Sequence, residues 1–217
     1  MTAGQQRALD LLWPRFGIPL DGSPVVPETL FGRDAPVTLE VGFGNGESLV
    51  WQAEQMPERD FIGIEVHRPG VGHLLGELER RGLKNIRVCN EDAVDVLQSR
   101  IAPAGIDTVQ VFFPDPWHKK RHHKRRLIQP PFARMLASRL RPGGLLHLAT
   151  DWEDYARHMQ RVMAETSDLF VPEGPQPLGM RPASRPATRF ERRGERMGHR
   201  VWDLQYRRLE EEAAGAG

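Results

Sequence analysis

Short apolar runs alternate with amphipathic segments along most of the chain, which has 217 residues. The apolar runs have the length and the content of β-branched and aromatic residues that are typical of buried strands. Predicted strands cover 37–43, 61–66, 85–90, 106–113, 144–149 and 200–206. The run at 106–113 is almost continuously apolar, which is typical of a strand at the centre of a parallel sheet.

Helices are predicted between these strands, at about 5–13, 47–56, 74–78, 94–97 and 131–140. The clearest helical spacing places one apolar face on Trp152, Tyr155, Met159, Val162 and Met163. Segment 171–187 contains five prolines and is predicted to be a loop. Alternating strands and helices predict a doubly wound, mostly parallel α/β sheet with right-handed crossovers. Ligands of such sheets bind beyond the carboxyl ends of the strands, so the residues that follow each strand are the candidates for a site.

The composition is that of an ordinary soluble globular protein, with 39% hydrophobic and 27% charged residues. The sequence contains no apolar run long enough for a membrane helix, and its first residues lack the basic and apolar regions of a signal peptide. Cys89 is the only cysteine, so no internal disulfide can form. This pattern favours a reducing compartment, and we expect the cytoplasm.

The formal net charge is only +1, and overall charge therefore predicts no nucleic-acid partner. The basic residues are nevertheless concentrated in two segments. Segment 119–126 holds six lysines and arginines with two histidines, and segment 181–208 holds nine arginines against three acids. Such clustering indicates a basic patch on a nearly neutral protein.

The predicted first strand runs into Glu40-Val-Gly-Phe-Gly-Asn-Gly, which contains three glycines at alternate positions. Glycines lack a Cβ atom, so they allow either a tight strand-to-helix turn or the close approach of a ligand to the backbone. The dinucleotide-binding fingerprint is Gly-x-Gly-x-x-Gly, and Glu47 stands where its third glycine should be. The spacing around Gly42 and Gly44 is instead that of S-adenosylmethionine enzymes.

Two acids follow the next two predicted strands. Glu65 ends the second strand, where a carboxylate can accept hydrogen bonds from both ribose hydroxyls of a cofactor. A surface acid is the alternative, and the apolar run before Glu65 favours the cofactor role because it directs the carboxylate to the crevice. Asp92 follows the third strand and is either a helix N-cap, a contact to an adenine amino group, or both.

The loop after the fourth strand is the most specific stretch of the sequence. Asp115 lies between Pro114 and Pro116, which restrict the backbone and can hold a carboxylate rigidly beside a reacting atom. The basic run 119–126 follows at once, and its place beside the presumed crevice favours phosphate contacts over a solvated face. Asp151 is either an N-cap or a site residue, and residues 188–191 fit a capping box that no apolar run follows, which disfavours a helix.

These motifs together resemble those of the bacterial tRNA (guanine-N7)-methyltransferases. The matching stretches begin at Leu39, Gly63, Asp92, Phe112, Ala149 and Thr188, and they extend from about Leu39 to Leu204. The resemblance implies a class I S-adenosylmethionine-dependent methyltransferase fold with a C-terminal antiparallel strand. It also implies a cytoplasmic enzyme that methylates N7 of the variable-loop guanosine, position 46, of tRNA.

The resemblance also implies a role for individual residues. The catalytic residue is Asp115, and the cofactor-binding residues are Glu40, Gly42, Gly44, Glu65, Asp92 and Asp115. The substrate-binding residues are Lys119, Asp151, Thr188, Arg189, Phe190 and Glu191. The RNA-contacting residues are Arg121, His122, His123, Lys124, Arg125 and Arg126. No metal and no membrane partner are expected, and the oligomeric expectation is a monomer.

The expected organisation is a single domain over 1–217. It comprises an N-terminal helix and loop (1–36), a core (37–207) with an RNA-binding insert (117–127) and a substrate loop (171–198), and a tail (208–217). The N-terminus is short, which leaves any RNA contact by a basic N-terminal arm in doubt.

The chemistry of guanine agrees with this interpretation, because N7 carries an in-plane lone pair and no hydrogen. An enzyme then needs alignment and a negative group near the developing charge, which a fixed aspartate supplies. The alternatives are a nicotinamide-dependent oxidoreductase, which Glu47 and the basic loop disfavour, and an RNA-binding module without activity.

Overall fold

A computed structural model describes residues 1–174, 181–187, 191–192 and 200–210. The strands are β1 (Val37–Val41), β2 (Asp60–Ile64), β3 (Ile86–Cys89), β4 (Ile106–Phe112), β5 (Leu140–Thr150), β6 (Phe170–Pro172) and β7 (Trp202–Arg208). The helices are α1 (Ala3–Phe16), α2 (Pro27–Phe31), α3 (Glu47–Gln55), α4 (Arg68–Arg81), α5 (Ala93–Ser99), α6 (Pro130–Arg139) and α7 (Glu153–Glu165), with a 3₁₀ helix at Lys120–Arg125.

The described strands form one sheet in the order β3-β2-β1-β4-β5-β7-β6. Strands β1 to β5 run parallel to one another, whereas β7 runs antiparallel to both β5 and β6. This arrangement confirms the predicted α/β fold class, including the antiparallel strand near the C-terminus. The carboxyl ends of β1 to β4 therefore meet at one edge of the sheet, where the candidate residues lie.

The sheet is covered on both faces. Phe61 and Ile62 are adjacent on β2, so their side chains point to opposite faces, and they belong to two different hydrophobic clusters. One cluster includes residues of α1, α3 and α4, and the other includes residues of α5, α6 and α7. The N-terminal helix is part of this packing, since a Cβ atom at Gly72 of α4 would lie only 2.5 Å from the carbonyl oxygen of Gln5.

The structure differs from the predicted elements in several places. Helix α2, the 3₁₀ helix and β6 were not predicted, and β6 occupies the start of the segment expected to be a loop at 171–187. Strand β5 begins at Leu140 rather than 144, because Leu140 pairs with Ile106 before the register shifts around Gly143 and Gly144. Glu191 and Arg192 have helical backbone, although the sequence disfavoured a helix there.

Strand β4 lies at the centre of the sheet between two parallel neighbours, as its largely apolar run predicted, and it also carries a buried polar side chain. Its Gln110 is buried and exchanges two side-chain hydrogen bonds, of 2.8 and 2.9 Å, with Gln52 of α3. This pairing satisfies the amide groups inside the fold and fixes α3 against the central strand. In the described part of the chain, no helix has the length and apolar character needed to cross a membrane.

Candidate active site

The glycine loop after β1 combines unusual backbone with open space. Gly42 and Gly44 have φ angles of 72° and 59°, in the left-handed region that favours glycine. A Cβ atom at either position would meet nothing within 4 Å, whereas one at Gly46 would lie 2.6 Å from Leu74 of α4. Gly46 therefore permits packing against α4, while Gly42 and Gly44 leave a cradle in front of the backbone that a ligand can enter.

Glu65 connects the end of β2 to this loop. Its Oε2 accepts a hydrogen bond of 2.9 Å from the backbone N–H of Gly44, and its Oε1 accepts one of 2.8 Å from the N–H of His67. Both bonds hold the carboxylate at the rim of the cradle. Each oxygen keeps a further lone pair, so the ribose role predicted from the sequence is compatible with this geometry.

Glu40 lies on β1 directly beneath the loop and is buried. Its Oε2 atom has no hydrogen-bond partner among the described residues. Burial raises the pKa of Glu40 to about 8, and the nearby charge of Glu65 contributes in the same direction. An orphaned buried carboxyl oxygen below an open cradle is a site that a positively charged ligand group could satisfy.

Asp92 is the N-cap of α5, because its Oδ1 accepts hydrogen bonds from the backbone N–H groups of Val94 (2.8 Å) and Asp95 (3.4 Å). The capping alternative left open by the sequence is therefore real. The side chain is exposed just after β3, so one oxygen caps the helix while the other can still accept a hydrogen bond from a ligand.

The loop between β4 and the 3₁₀ helix, residues 113–119, is the Asp115 loop, and it has strained backbone at two positions. Phe113 and Trp117 have φ angles of 52° and 47°, which are uncommon for residues with a side chain and which cluster at functional sites. Asp115 is exposed, and its Oδ1 accepts a hydrogen bond of 3.0 Å from the N–H of Trp117. Because β4 pairs with β1 in parallel, the Asp115 loop and the glycine loop follow their strands at the same edge of the sheet.

The basic run forms the 3₁₀ helix, which begins a few residues after Asp115. Its cations are exposed at Lys119, Lys120, Arg121, Lys124 and Arg125, and His122 and His123 are half-buried. The guanidinium of Arg125 lies 5.0 Å from the centre of the Trp117 ring, and His122 meets the same ring edge-on. This helix is therefore packed onto the Asp115 loop and presents a positive surface beside it.

Arg126 is an exception within the run, because its side chain has no exposed surface. Its Nε donates to the carbonyl oxygen of Pro116 at 2.9 Å, and its Nη2 donates to Asp154 of α7 at 2.5 Å. The guanidinium also lies 4.8 Å from the centre of the Tyr155 ring. A direct RNA contact by Arg126, as the sequence predicted, conflicts with this burial, because the guanidinium is turned inward to intramolecular partners.

Asp151 follows β5 and is half-buried. The N-cap position of α7 is Trp152, and the helix begins at Glu153, so the capping alternative for Asp151 is wrong. The Trp152 ring lies 4.2 Å from that of His118, which brings the end of β5 against the Asp115 loop. Asp151 therefore lies on the same side of the crevice as the basic helix.

Glu191 is buried and belongs to a network that the sequence did not reveal. Arg185 has a fully buried side chain that donates to Glu191 Oε2 at 2.5 Å and to both carboxylate oxygens of Asp203 at 2.6 Å. His147 of β5 completes the network at 2.8 Å from Asp203. Thr188, Arg189 and Phe190, the other predicted substrate residues of this segment, lie outside the described residues.

This network lies beneath the start of the Asp115 loop. The Arg185 guanidinium is 5.7 and 5.6 Å from the ring centres of Phe112 and Phe113. Burial alone would raise the pKa of Asp203, but hydrogen bonds from Arg185 and His147 outweigh it and lower that pKa. A single arginine in a proline-rich segment carries no motif, so no sequence signal distinguished Arg185 from its neighbours.

Comparison with known proteins identifies a family and a fold. Residues 34–204 match the family model described as "Putative methyltransferase". The tRNA (guanine-N(7)-)-methyltransferase of Alkalilimnicola ehrlichii is 58% identical, covering 97% of this chain and 89% of its own length. The enzyme of that name from Methylococcus capsulatus is 56% identical, covering 96% of this chain and 90% of its own length.

Solved structures share the fold at much lower identity. The 16S rRNA methyltransferase KamB superposes with a TM-score of 0.61 at 18% identity, covering 85% of this chain and 92% of that chain. A Streptococcus thermophilus rRNA methylase gives a TM-score of 0.53 at 13% identity, covering 97% of this chain and 99% of that chain. At these identities the likeness establishes the class I methyltransferase fold and nothing finer.

Proposed function

Since the chain belongs to the tRNA (guanine-N7)-methyltransferase family, whose members use S-adenosylmethionine to methylate guanine N7 in tRNA, we propose that its target is the variable-loop guanosine at position 46. The family membership excludes the nicotinamide-dependent oxidoreductase alternative. The cytoplasmic location and the monomeric state stay predictions.

One observation supports an active site at this sheet edge more than any other. The loops after β1 and β4 are neighbours, and they bring an open glycine cradle and the fixed carboxylate of Asp115 to the same place. The basic 3₁₀ helix continues from that carboxylate, so a phosphate backbone bound there would carry a base toward the cradle.

The residues present fit S-adenosylmethionine. The cradle at Gly42 and Gly44 has room for a ligand, and the orphaned Oε2 of Glu40 can accept a contact from its positively charged part. When bound, the cofactor supplies a methyl group made electrophilic by a sulfonium. Glu65 is proposed to accept hydrogen bonds from the ribose hydroxyls, and Asp92 to accept one from the adenine amino group with the oxygen that does not cap α5.

Asp115 acts on the guanine, not on a proton. N7 has no hydrogen to lose, so its lone pair forms the new bond to carbon directly and the base becomes cationic. A carboxylate held beside the base stabilises that developing charge and aligns the ring. Lys119, Asp151 and residues 188–190 are proposed to hold the guanosine and its surroundings, and the exposed cations at 121, 124 and 125 to contact phosphates. Glu191 is buried against Arg185, so its proposed contribution is through that pairing and not through direct contact with the guanosine.

The test is transfer of a labelled methyl group to unmodified tRNA, followed by mapping of the product through chemical cleavage at 7-methylguanosine. We expect incorporation at position 46, and no incorporation into a tRNA carrying adenosine there. Methylation of that variant tRNA at another guanosine would contradict the proposed position while leaving the reaction class intact.

A further inference from the structure

We propose that Arg126 is a positioning residue that orients the catalytic carboxylate through a single peptide group. This inference rests on the proposed role of Asp115 and adds to it. The peptide between Pro116 and Trp117 has two polar ends, and both are used. Its carbonyl oxygen accepts from Arg126 Nε at 2.9 Å, and its N–H donates to Asp115 Oδ1 at 3.0 Å.

Arg126 therefore reaches Asp115 without touching it. Rotation of this peptide would break both hydrogen bonds together. The Arg126 guanidinium therefore holds the peptide plane in the orientation in which its N–H can bond to the Asp115 carboxylate. The need for such a restraint is visible in Trp117, whose φ of 47° is strained and persists only where surrounding contacts enforce it. Hydrogen bonds on the two sides of one peptide also polarise and strengthen each other.

The guanidinium is itself held from three directions. Asp154 of α7 accepts its Nη2 at 2.5 Å, the Tyr155 ring lies 4.8 Å away, and His123 Nε2 is 3.0 Å from the same Nη2. His123 belongs to the basic 3₁₀ helix, so Arg126 joins that helix, α7 and the Asp115 loop at one point. A planar fork with fixed donor directions can make these contacts at once, which an ammonium group cannot.

The burial has a cost that a solvated cation would not carry. Arg126 Nη1 is buried and has no hydrogen-bond partner among the described residues. A phosphate-binding arginine would instead expose its nitrogens to the ligand, as Arg121 and Arg125 expose theirs. The retained buried guanidinium points to a positional role in the loop.

The experiment compares Arg126→Lys and Arg126→Met with Arg134→Met, a control that removes an exposed arginine of α6 paired with Asp168. We expect both Arg126 variants to lower the single-turnover rate of methyl transfer about 10–100-fold at saturating tRNA and cofactor, and the control to leave it unchanged. The salt dependence of tRNA affinity should stay the same in all three.

A direct phosphate contact predicts the opposite pattern. Arg126→Lys would then retain the rate, and Arg126→Met would reduce the slope of log affinity against log salt by roughly 0.7–0.9. That pattern overturns the proposal. A second requirement is non-additivity: in an Asp115→Ala background, Arg126→Met should change the rate by less than about threefold, and an undiminished effect would refute action through Asp115.

A readout independent of activity separates this proposal from the proposed function. With fluorotryptophan incorporated, the fluorine resonance of Trp117, assigned with Trp117→Phe, should shift in Arg126→Lys and stay in place in Arg134→Met. An unmoved resonance overturns the proposal, even where wild-type methyl transfer succeeds. Failure of the wild type to methylate tRNA would count against the proposed function alone. If Arg126→Met does not fold, Arg126→Lys and Asp154→Asn carry the same tests.

Discussion

The two sides of the crevice are built by different means. The proposed cofactor side, which comprises the loops after β1, β2 and β3, is held by side-chain bonds to backbone groups, such as those that Glu65 accepts from the N–H groups of Gly44 and His67. The proposed tRNA side, which comprises the loops after β4 and β5 with residues 181–187 and 191–192, is held by buried arginines. Arg126 pairs with Asp154, and Arg185 pairs with Asp203 and Glu191, so charged side-chain pairs make the links on this side.

This difference has a physical reason. A small ligand needs backbone that it can approach closely, and glycines with helix N-termini provide that locally. A tRNA surface must carry excess positive charge, which repels itself and disfavours order. Buried acids such as Asp203 and Glu191 anchor part of that charge inside the fold, and they leave other cations exposed for the ligand.

The largest effect that would test this comparison concerns Arg185. Arg185→Met leaves Asp203 and Glu191 buried without their shared partner, so we expect a loss of about 3–5 kcal/mol in the free energy of unfolding. Urea denaturation measures it. Arg134→Met, which removes an exposed ion pair, should change stability little.

Arg185→Met should retain affinity for S-adenosylmethionine wherever the variant remains folded, because the cofactor side is held by its own hydrogen bonds to backbone groups. A loss of cofactor affinity that equals the loss of tRNA affinity would show that the two sides are not independent.

The next largest effect concerns Asp115, where the two sides meet. Asp115→Asn keeps the shape and the acceptor for the Trp117 N–H but removes the charge. We expect kcat to fall about 10²–10³-fold with a small change in cofactor affinity. Single-turnover methyl transfer should also stay flat with pH through neutrality. A rate that rises tenfold per pH unit, and loses that rise in the variant, would identify a general base instead.

A third prediction concerns the cofactor side and pH. Glu40 has a pKa raised by burial to about 8 from its ordinary 4.5, so the folded protein holds a proton there that the unfolded chain releases. Stability should therefore fall as pH rises between these two values, and Glu40→Gln should lose this dependence.

A positively charged ligand at the Glu40 oxygen favours the ionised form, so cofactor binding near pH 7 should release about one proton. Calorimetry in buffers of different ionisation enthalpy measures this release. Glu40→Gln should abolish it, whereas Glu79→Gln, which alters an exposed acid on α4, should not. Binding heats that do not depend on the buffer would remove Glu40 from the cofactor site.

The smallest effect concerns the exposed cations. Replacing Arg121 and Lys124 by alanine should weaken binding of all tRNAs alike and reduce the salt slope by roughly 0.7–0.9 for each lost contact. Arg134→Ala, which removes one exposed arginine, is the control for the loss of each single positive charge. An unchanged slope would mean that the 3₁₀ helix is a solvated face and that tRNA binds elsewhere.

The sequence by itself determined the sheet and the cofactor side. Apolar runs, alternating glycines and acids after strands are local patterns, and they predicted the parallel strands, the glycine loop and the places of Glu65 and Asp92. It also predicted that Asp115 is restrained, since two prolines adjoin it. Resemblance of these motifs to one family supplied the reaction.

Only the tertiary structure decided which arginines face the solvent. Arg125 and Arg126 are adjacent residues of the same type, yet Arg125 is exposed and Arg126 is buried against α7. Arg185 likewise has no distinguishing neighbours in sequence, and its role depends on Asp203 and His147 from separate strands. The burial of a charge depends on partners that arrive only when distant segments pack, so no local pattern encodes it.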